Sequence, residues 1–420
     1  MTQIAMVAGE PSGDLLAARI LQGIRAQQPN CQFTGIGGPA MLEAGQQQWH
    51  DLEALSVFGY VDALKQLPRL WRIFQQTKKR CLNHPPQVYV GIDAPDFNLR
   101  MEKALKAADI PTVQFVSPSI WAWRYDRIHN IRAAVSHMLV LFPFEVPIYE
   151  QEGVPVTYVG HPLAQEIPLN PCPKSARRAL GLAYDATVLA ILPGSRASEI
   201  KWLAPLFLQV AQQLQARHAD LHFVIPAVNA KRAQELQSYL QQYPLRNAQI
   251  VLADDKPNTA NTDHSQSSTN QATTDGATTA HKSTDKVSAA QNPVSWQCMQ
   301  AADALLLASG TATLEGMMFK KPMVIAYILS PWMRRLMAWQ SGQQRPSTPW
   351  VGLPNILAQK EIAHEFLQDE ATVANLVPAT ERALFDEENR QQVQKISLAL
   401  HQELRVDTAK IAADTILSYV

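Results

Sequence analysis

The sequence predicts an α/β protein of two doubly wound parallel-sheet domains, with a disordered low-complexity insertion in the second. Three observations predict it. Short apolar runs rich in β-branched residues alternate with segments of helical periodicity, the pattern of parallel strands covered on both faces by helices. A proline-rich stretch, His161–Lys174, breaks that series near its middle. The chain has 420 residues, 46% hydrophobic and 18% charged, enough for two or three domains with sizeable cores.

In chain order, strands are expected at Ile4–Ala8, Val88–Ile92, Thr112–Val116, Met138–Leu141 and Val156–Val159, which defines a first domain over residues 1–168. Helical spacing is clear at Leu15, Leu16, Ile20 and Ile24. A second set of strands, Thr187–Leu192, Leu221–Ile225, Ala304–Ala308 and Met323–Tyr327, defines a second domain over residues 169–394. From Asp254 to Asn292 there is no aromatic residue and Val287 is the lone large aliphatic. Such a stretch cannot bury enough apolar surface to offset its ordering entropy, so it reads as a disordered insertion without a role of its own. From Glu361 onward several helices are expected. Residues 395–420 read as helices crossing back to the first domain, the last carrying Ile411, Ala412, Ile416 and Leu417 as a stripe.

Composition removes several classes. Lys+Arg and Asp+Glu are both 37, so the basic excess of a nucleic-acid binder is missing. Cys31, Cys81, Cys172 and Cys298 are scattered and form no CxxC pair, which points to reduced thiols in a cytoplasmic protein. The histidines show no HExxH spacing and no DxD pair occurs, so neither metal nor cofactor is expected. The N-terminus lacks a basic signal-peptide region, and no apolar run approaches the roughly 18 residues of a membrane span.

The chemistry gathers at strand ends. Gly9, Glu10, Ser12, Gly13 and Asp14 form the turn after the first strand, where backbone N–H groups favour an anion or sugar hydroxyls. Ser12 and Asp14 are equally suited to cap a helix. Asp93 and Asp96 follow Val88–Ile92. Asp93, closest to the strand end, is the better general base, while Asp96 and Asn98 suit a helix cap. Trp121, Trp123 and Arg124 suit recognition of a sugar ring or acyl chain, though each Trp would also suit core packing.

In the second half, Gly194, Ser195 and Arg196 precede a helix opening near Ser198, and Ser309, Gly310 and Thr311 precede another. Loops of backbone donors at helix starts, with a guanidinium, match a diphosphate. Glu315, one turn further in, could accept hydrogen bonds from ribose hydroxyls. Between Ala63 and Ile92 no acidic residue occurs among six basic ones. Leu64, Leu67, Trp71 and Phe74 share one helical face, Lys65, Arg69 and Arg72 another, and Lys78 and Lys79 follow, which is the pattern of an interfacial helix on anionic lipid. A solvated amphipathic helix gives the same pattern, and Pro68 interrupts it or marks its first turn. Trp332–Trp339 repeats the basic–aromatic theme.

These residues resemble those of the lipid A disaccharide synthase family. The matching segments include VAGEPSGD (7–14), GIGGPAM (35–41), GIDAPDFN (91–98), VSPSIWAWR (116–124), FPFEVPIYE (142–150), LPGSR with Glu199 (192–199), ASGTATLE (308–315) and LPNIL (353–357). The insertion is a departure from the family's usual short loop. The resemblance implies two Rossmann-like domains facing a cleft (GT-B type) and inverting transfer of 2,3-diacylglucosamine from UDP-2,3-diacylglucosamine to the 6-hydroxyl of 2,3-diacylglucosamine 1-phosphate. It implies a UDP-sugar site at Gly194, Ser195, Arg196, Glu199, Ser309, Gly310, Thr311, Glu315 and Asn355. It implies an acceptor site at Glu10, Ser12, Gly13, Asp14, Trp121, Trp123 and Arg124, with Asp93 as base and Arg196 stabilising the leaving UDP. Acylated substrates also imply a membrane patch of Leu67, Arg69, Trp71, Arg72, Phe74, Lys78 and Lys79, on the inner face of the inner membrane. Dimers through exchanged C-terminal segments are a further implication. A related non-acylated UDP-sugar enzyme and a non-catalytic binding scaffold are the rival readings.

Overall fold

The computed structural model describes residues 2–55, 60–122, 124–252, 293–329 and 348–420. The 254–292 insertion, Trp123 and the Trp332–Trp339 cluster lie outside them.

The first sheet has seven parallel strands: β1 (Gln3–Ala8), β2 (Gln32–Gly37), β3 (Gln46–Asp51), β4 (Val88–Ile92), β5 (Thr112–Phe115), β6 (His137–Val140) and β7 (Val156–Tyr158), in the order β3-β2-β1-β4-β5-β6-β7. Around it lie α1 (Pro11–Gln27), α2 (Pro39–Glu43), α3 (Tyr60–Asn83), α4 (Pro95–Lys106), α5 (Ile128–Ala134) and α6 (Val146–Gln151). Two short helices, α7 (Pro162–Glu166) and α8 (Pro173–Ala179), occupy the proline-rich link. β4 is fully apolar or glycine and wholly buried, as a central strand between helical layers must be. Pro68 lies inside α3, which runs through it.

The second sheet has six parallel strands: β8 (Val188–Leu192), β9 (His222–Ala227), β10 (Ala248–Leu252), β11 (Ala304–Ala308), β12 (Met323–Tyr327) and β13 (His364–Leu367), in the order β10-β9-β8-β11-β12-β13. Its helices are α9 (Ala197–Arg217), α10 (Ala230–Gln242), α11 (Val294–Ala301), α12 (Thr311–Met318), α13 (Leu353–Ala358) and α14 (Val373–Phe385). α15 (Glu387–Leu404) and α16 (Thr408–Leu417) end the chain.

β13 corrects the all-helical reading after Glu361. HEFL is a short, half-buried strand paired, among the described residues, only with β12, and is too short and mixed to show a period.

α15 places Leu400 and Leu404 in the core beside β8 and β11, whereas α16 places Ala412, Ala413 and Ile416 in the core beside β1 and β4. Where the chain passes between the two, the His161 amide donates to the Leu404 carbonyl at 3.0 Å and Tyr158 Oη to the Glu403 carbonyl at 2.9 Å. Each sheet reverses strand order once, between β1 and β4 and between β8 and β11, and ligands of open α/β sheets bind outside the carboxyl ends at such reversals.

Candidate functional site

The first reversal joins two turns that are distant in sequence. The β1–α1 turn meets the β4–α4 turn, and the Gly9 amide donates to Asp93 Oδ1 at 2.7 Å. Asp93 Oδ2 is buried and has no hydrogen-bond partner. Burial pushes the Asp93 carboxyl up to about 7, the Gly9 hydrogen bond opposes the rise, and the Glu10 charge adds to it. A carboxyl with one anchored and one unpartnered oxygen, poised near neutrality, suits a general base. Asp93 and Ala94 sit in the left-handed region with φ of 53° and 38°, strain that clusters at functional sites.

Glycine is required opposite this carboxyl. A Cβ on Gly13 would stand 1.8 Å from Asp93 Oδ2. Gly13→Ala is therefore expected to displace the carboxylate and lower kcat by about 10²-fold. Unchanged steady-state turnover in the purified variant would remove Asp93 Oδ2 from the chemistry.

The neighbouring polar residues divide by what they touch. Glu10 and Ser12 are exposed at the mouth of the turn. Asp14 is buried, with Oδ1 accepting from the amides of Gly38 (2.8 Å) and Met41 (3.1 Å) and Oδ2 from that of Ala40 (3.0 Å). It caps α2 instead of α1, which replaces the expected acceptor contact with a positioning role. Asp96 is exposed and paired with Arg127 at 2.8 Å, so it neither caps α4 nor competes with Asp93. Asn98 is fully buried and donates to the Asp93 carbonyl at 3.0 Å, also without capping. Trp121 is half-buried with its edge on Phe144, ring centroids 5.3 Å apart, and Arg124 is a left-handed residue facing Asp126 at 3.7 Å.

The second reversal carries the paired loops. Gly194 has φ 109°, and the amides of Ser195 and Arg196 both donate to Glu199 Oε2, at 3.0 and 3.1 Å. Two adjacent N–H groups converging on one carboxylate oxygen form an anion-binding geometry at the start of α9. The Arg196 side chain is 80% exposed, with a 3.4 Å contact to Glu199 Oε1. Across the reversal, Gly310 has φ 149°, a conformation that favours glycine, and Thr311 opens α12 with its side chain exposed. Ser309 is half-buried beside them, and burial raises the Glu315 carboxyl above its usual range.

Asn355 departs from expectation. Its Nδ2 donates to the Ala363 carbonyl and to Glu365 Oε1, both at 2.7 Å, and its Oδ1 accepts from the amides of Ile362 and Ala363. Fully buried and saturated, it braces the turn before β13 and has no group left for a nucleotide. Sequence reasoning missed Gln114, Glu102 and Glu145. Gln114 and Glu102 are fully buried beneath Asp93. Burial pushes Glu145 up to about 7, against its hydrogen bond from the Phe142 amide. Gln114 and Glu145 each stand as one polar residue inside an otherwise apolar segment, whereas Glu102, between Arg100 and Lys103, leaves no such signal.

A fold of this kind, with a donor-rich turn at each sheet's reversal, is that of the two-domain glycosyltransferases of the GT-B class. Solved structures agree: UDP-GlcNAc 2-epimerase from Neisseria meningitidis bound to UDP-GlcNAc matches with a TM-score of 0.59 at 10% identity, covering 100% of both chains. MurG from Acinetobacter baumannii matches at 0.52 and 12% identity, again over 100% of both. The sequence profile of the lipid-A-disaccharide synthetase family matches residues 4–264 and 270–416. Lipid-A-disaccharide synthase from Bordetella petrii is 54% identical over 414 residues, 99% of this chain and 97% of that one. The Bordetella pertussis protein is 52% identical over 415 residues, 99% and 98% of the respective chains. The chain belongs to the lipid-A-disaccharide synthetase family, and is a glycosyltransferase of lipid A biosynthesis.

Proposed function

We propose that Asp93 takes the proton from the acceptor 6-hydroxyl as that oxygen attacks the anomeric carbon of UDP-2,3-diacylglucosamine, with inversion, giving the β-1′,6-linked disaccharide 1-phosphate and UDP. The observation that carries this reading is the buried, unpartnered Oδ2 of Asp93 at the first sheet's reversal. Residues 1–168, with the returning 395–420 segment, take 2,3-diacylglucosamine 1-phosphate. Glu10, Ser12, Trp121 and Arg124 surround it, Gly13 leaves room for the base, and Asp14 shapes the turn. Residues 169–394 take the donor. The amides of Ser195 and Arg196, freed from Glu199, bind the diphosphate together with the Arg196 guanidinium, while Gly194, Ser309, Gly310, Thr311 and Glu315 shape the rest of the site. Charge growing on the leaving UDP is thereby met by fixed donors. Closure of the two halves excludes water that would hydrolyse the donor.

The test is a product assay with purified protein, both diacylated substrates and no added metal, read by mass spectrometry and UDP release. Tetraacyl disaccharide phosphate is expected; UDP binding without disaccharide would move the reading to a different acceptor or a non-catalytic scaffold.

We further propose that α3 docks on the anionic inner face of the inner membrane. Among the described residues no helix is long and apolar enough to cross a membrane. α3 packs on its own domain through Ile73, Thr77 and Cys81, while Leu67 is 54% and Trp71 61% exposed beside exposed Arg69, Arg72 and Lys79. Half-buried Phe74 stacks on Trp71 at 5.7 Å, and Lys78 lies at the patch edge. Reversing the charges of Arg69, Arg72 and Lys79 is expected to release the protein from anionic vesicles, each cation being worth about 1 kcal/mol there. Unchanged co-sedimentation would end the proposal.

A further inference from the structure

A sealed polar cluster lies directly beneath Asp93. Asn98 and Glu102, one turn apart on α4, face Tyr89 of β4 and Gln114 of β5, and all four are fully buried. Tyr89 Oη donates to Asn98 Oδ1 at 2.8 Å. Gln114 Nε2 lies among three carbonyls, those of Asp93 (3.2 Å), Phe115 (3.1 Å) and Val116 (3.3 Å). With Asn98 it anchors the backbone around Asp93, Ala94 and Val116, three non-glycine residues in the left-handed region.

Those three acceptors fix which way the Gln114 amide points, because the flipped amide would set its own oxygen against them. Its Oε1 is then buried without a donor, and both carboxyl oxygens of Glu102 are likewise buried without a partner. The orphaned oxygens converge on Gly91: a Cβ there would stand 2.4 Å from Glu102 Oε1 and 2.6 Å from Gln114 Oε1. A buried carboxylate facing an amide oxygen, with no cation beside it, would be strongly unfavourable, whereas one proton on Glu102 turns two unmatched acceptors into a hydrogen-bonded pair. Burial pushes the Glu102 carboxyl well above its usual range, and the Gly91 backbone N–H opposes the rise only in part. Tyr89 and Cys81, titratable groups of the same buried layer, are pushed up too, Cys81 to about 12, and supply no positive charge.

We propose that Glu102 is a neutral carboxylic acid at working pH, donating its O–H to Gln114 Oε1 and so locking the amide that holds the Asp93 carbonyl; it is a positioning residue for the base. The inference rests on the reading of Asp93 as that base. The test compares Glu102→Gln, which offers an N–H in place of the O–H, with Glu102→Leu, which offers nothing. Glu102→Gln is expected to keep turnover near the parent's and the same acid limb in its pH–rate profile. Glu102→Leu is expected to lose about 10²-fold in kcat with KM little changed, and to shift that limb, because the base is misplaced. The infrared difference spectrum of parent minus Glu102→Gln at pH 8 is expected to show the carbonyl stretch of an un-ionised carboxylic acid. Absence of that band, or equal damage in the two variants, overturns the proposal. Should Glu102→Leu fail to fold, the band and the Gln variant still decide. The band does not depend on Asp93, so an active Asp93→Asn enzyme would sink the base reading while leaving this one measurable.

Discussion

Asp93→Asn is expected to lower kcat by about 10²–10⁴-fold, the usual loss when a general base is removed. The same variant is expected to melt at a higher temperature than the parent at pH 8. The sign follows from burial. With the folded-state value raised from 3.8 to about 7, the native state holds this proton more tightly than the unfolded chain does. The stability it confers is fully present below about pH 4 and is lost as pH rises through about 7. Above that window the parent carries a poorly solvated carboxylate at a penalty of a few kcal/mol, by linkage, which the amide escapes. The parent's kcat/KM is expected to rise with pH through about 7, as the base loses its proton, and this acid limb to vanish from the residual activity of the variant. A folded Asp93→Asn enzyme with near-normal turnover would disqualify Asp93 and turn attention to Glu10.

Arg196→Ala is expected to lower kcat by about 10²–10³-fold, the loss typical of removing one donor that meets growing negative charge. Thermal stability should stay within experimental scatter, because the side chain is 80% exposed and its ion pair with Glu199 is a long 3.4 Å contact. The affinity for UDP as product inhibitor should fall while that for uridine holds, since the guanidinium addresses the diphosphate. Arg196→Lys should recover only part of the rate, because a point charge replaces a planar fork of donors. Equal loss of UDP and uridine binding would mean that the loop itself had collapsed.

What the sequence disclosed, and what it hid, depends on how continuous each strand's apolar run is. Central strands such as VYVGI at Val88–Ile92 are buried on both faces and announce themselves as unbroken apolar runs. β3 (QQQWHD), β10 (AQIVL) and β13 (HEFL) are half-buried sheet edges of mixed polarity, and β2 (QFTGIG), though interior and buried, is broken up by Gln, Thr and Gly, so none of the four reads as a strand. The turn at Gly9–Asp14 and the carboxylate Asp93 were both legible at strand ends, but their hydrogen bond across 84 positions was not. Asp14 and Asn355 misled for the same reason. A polar residue in a motif can serve ligand or backbone, and the partners that decide come from the amides of Gly38 and Ala363, which no local pattern reveals. Glu102 was overlooked because a carboxyl within a helical period reads as a solvated face. Its neighbour across the sheet, Gln114, makes that face an interior one.

The return of α16 to the first sheet has a consequence for how the protein is born. Domains usually fold as they leave the ribosome, the amino-terminal one first. Here the layer over β1 and β4 is finished by Ala412, Ala413 and Ile416, with Ala413 packed 3.4 Å from where a Gly23 side chain would begin. Those residues follow the whole of the second sheet in chain order. The amino-terminal half therefore emerges with an uncovered apolar seam along α1 and keeps it until α16 has been made. Its final closure waits on synthesis of the entire second sheet, and a chain that stops before α16 leaves the earlier-made half of the protein unfinished.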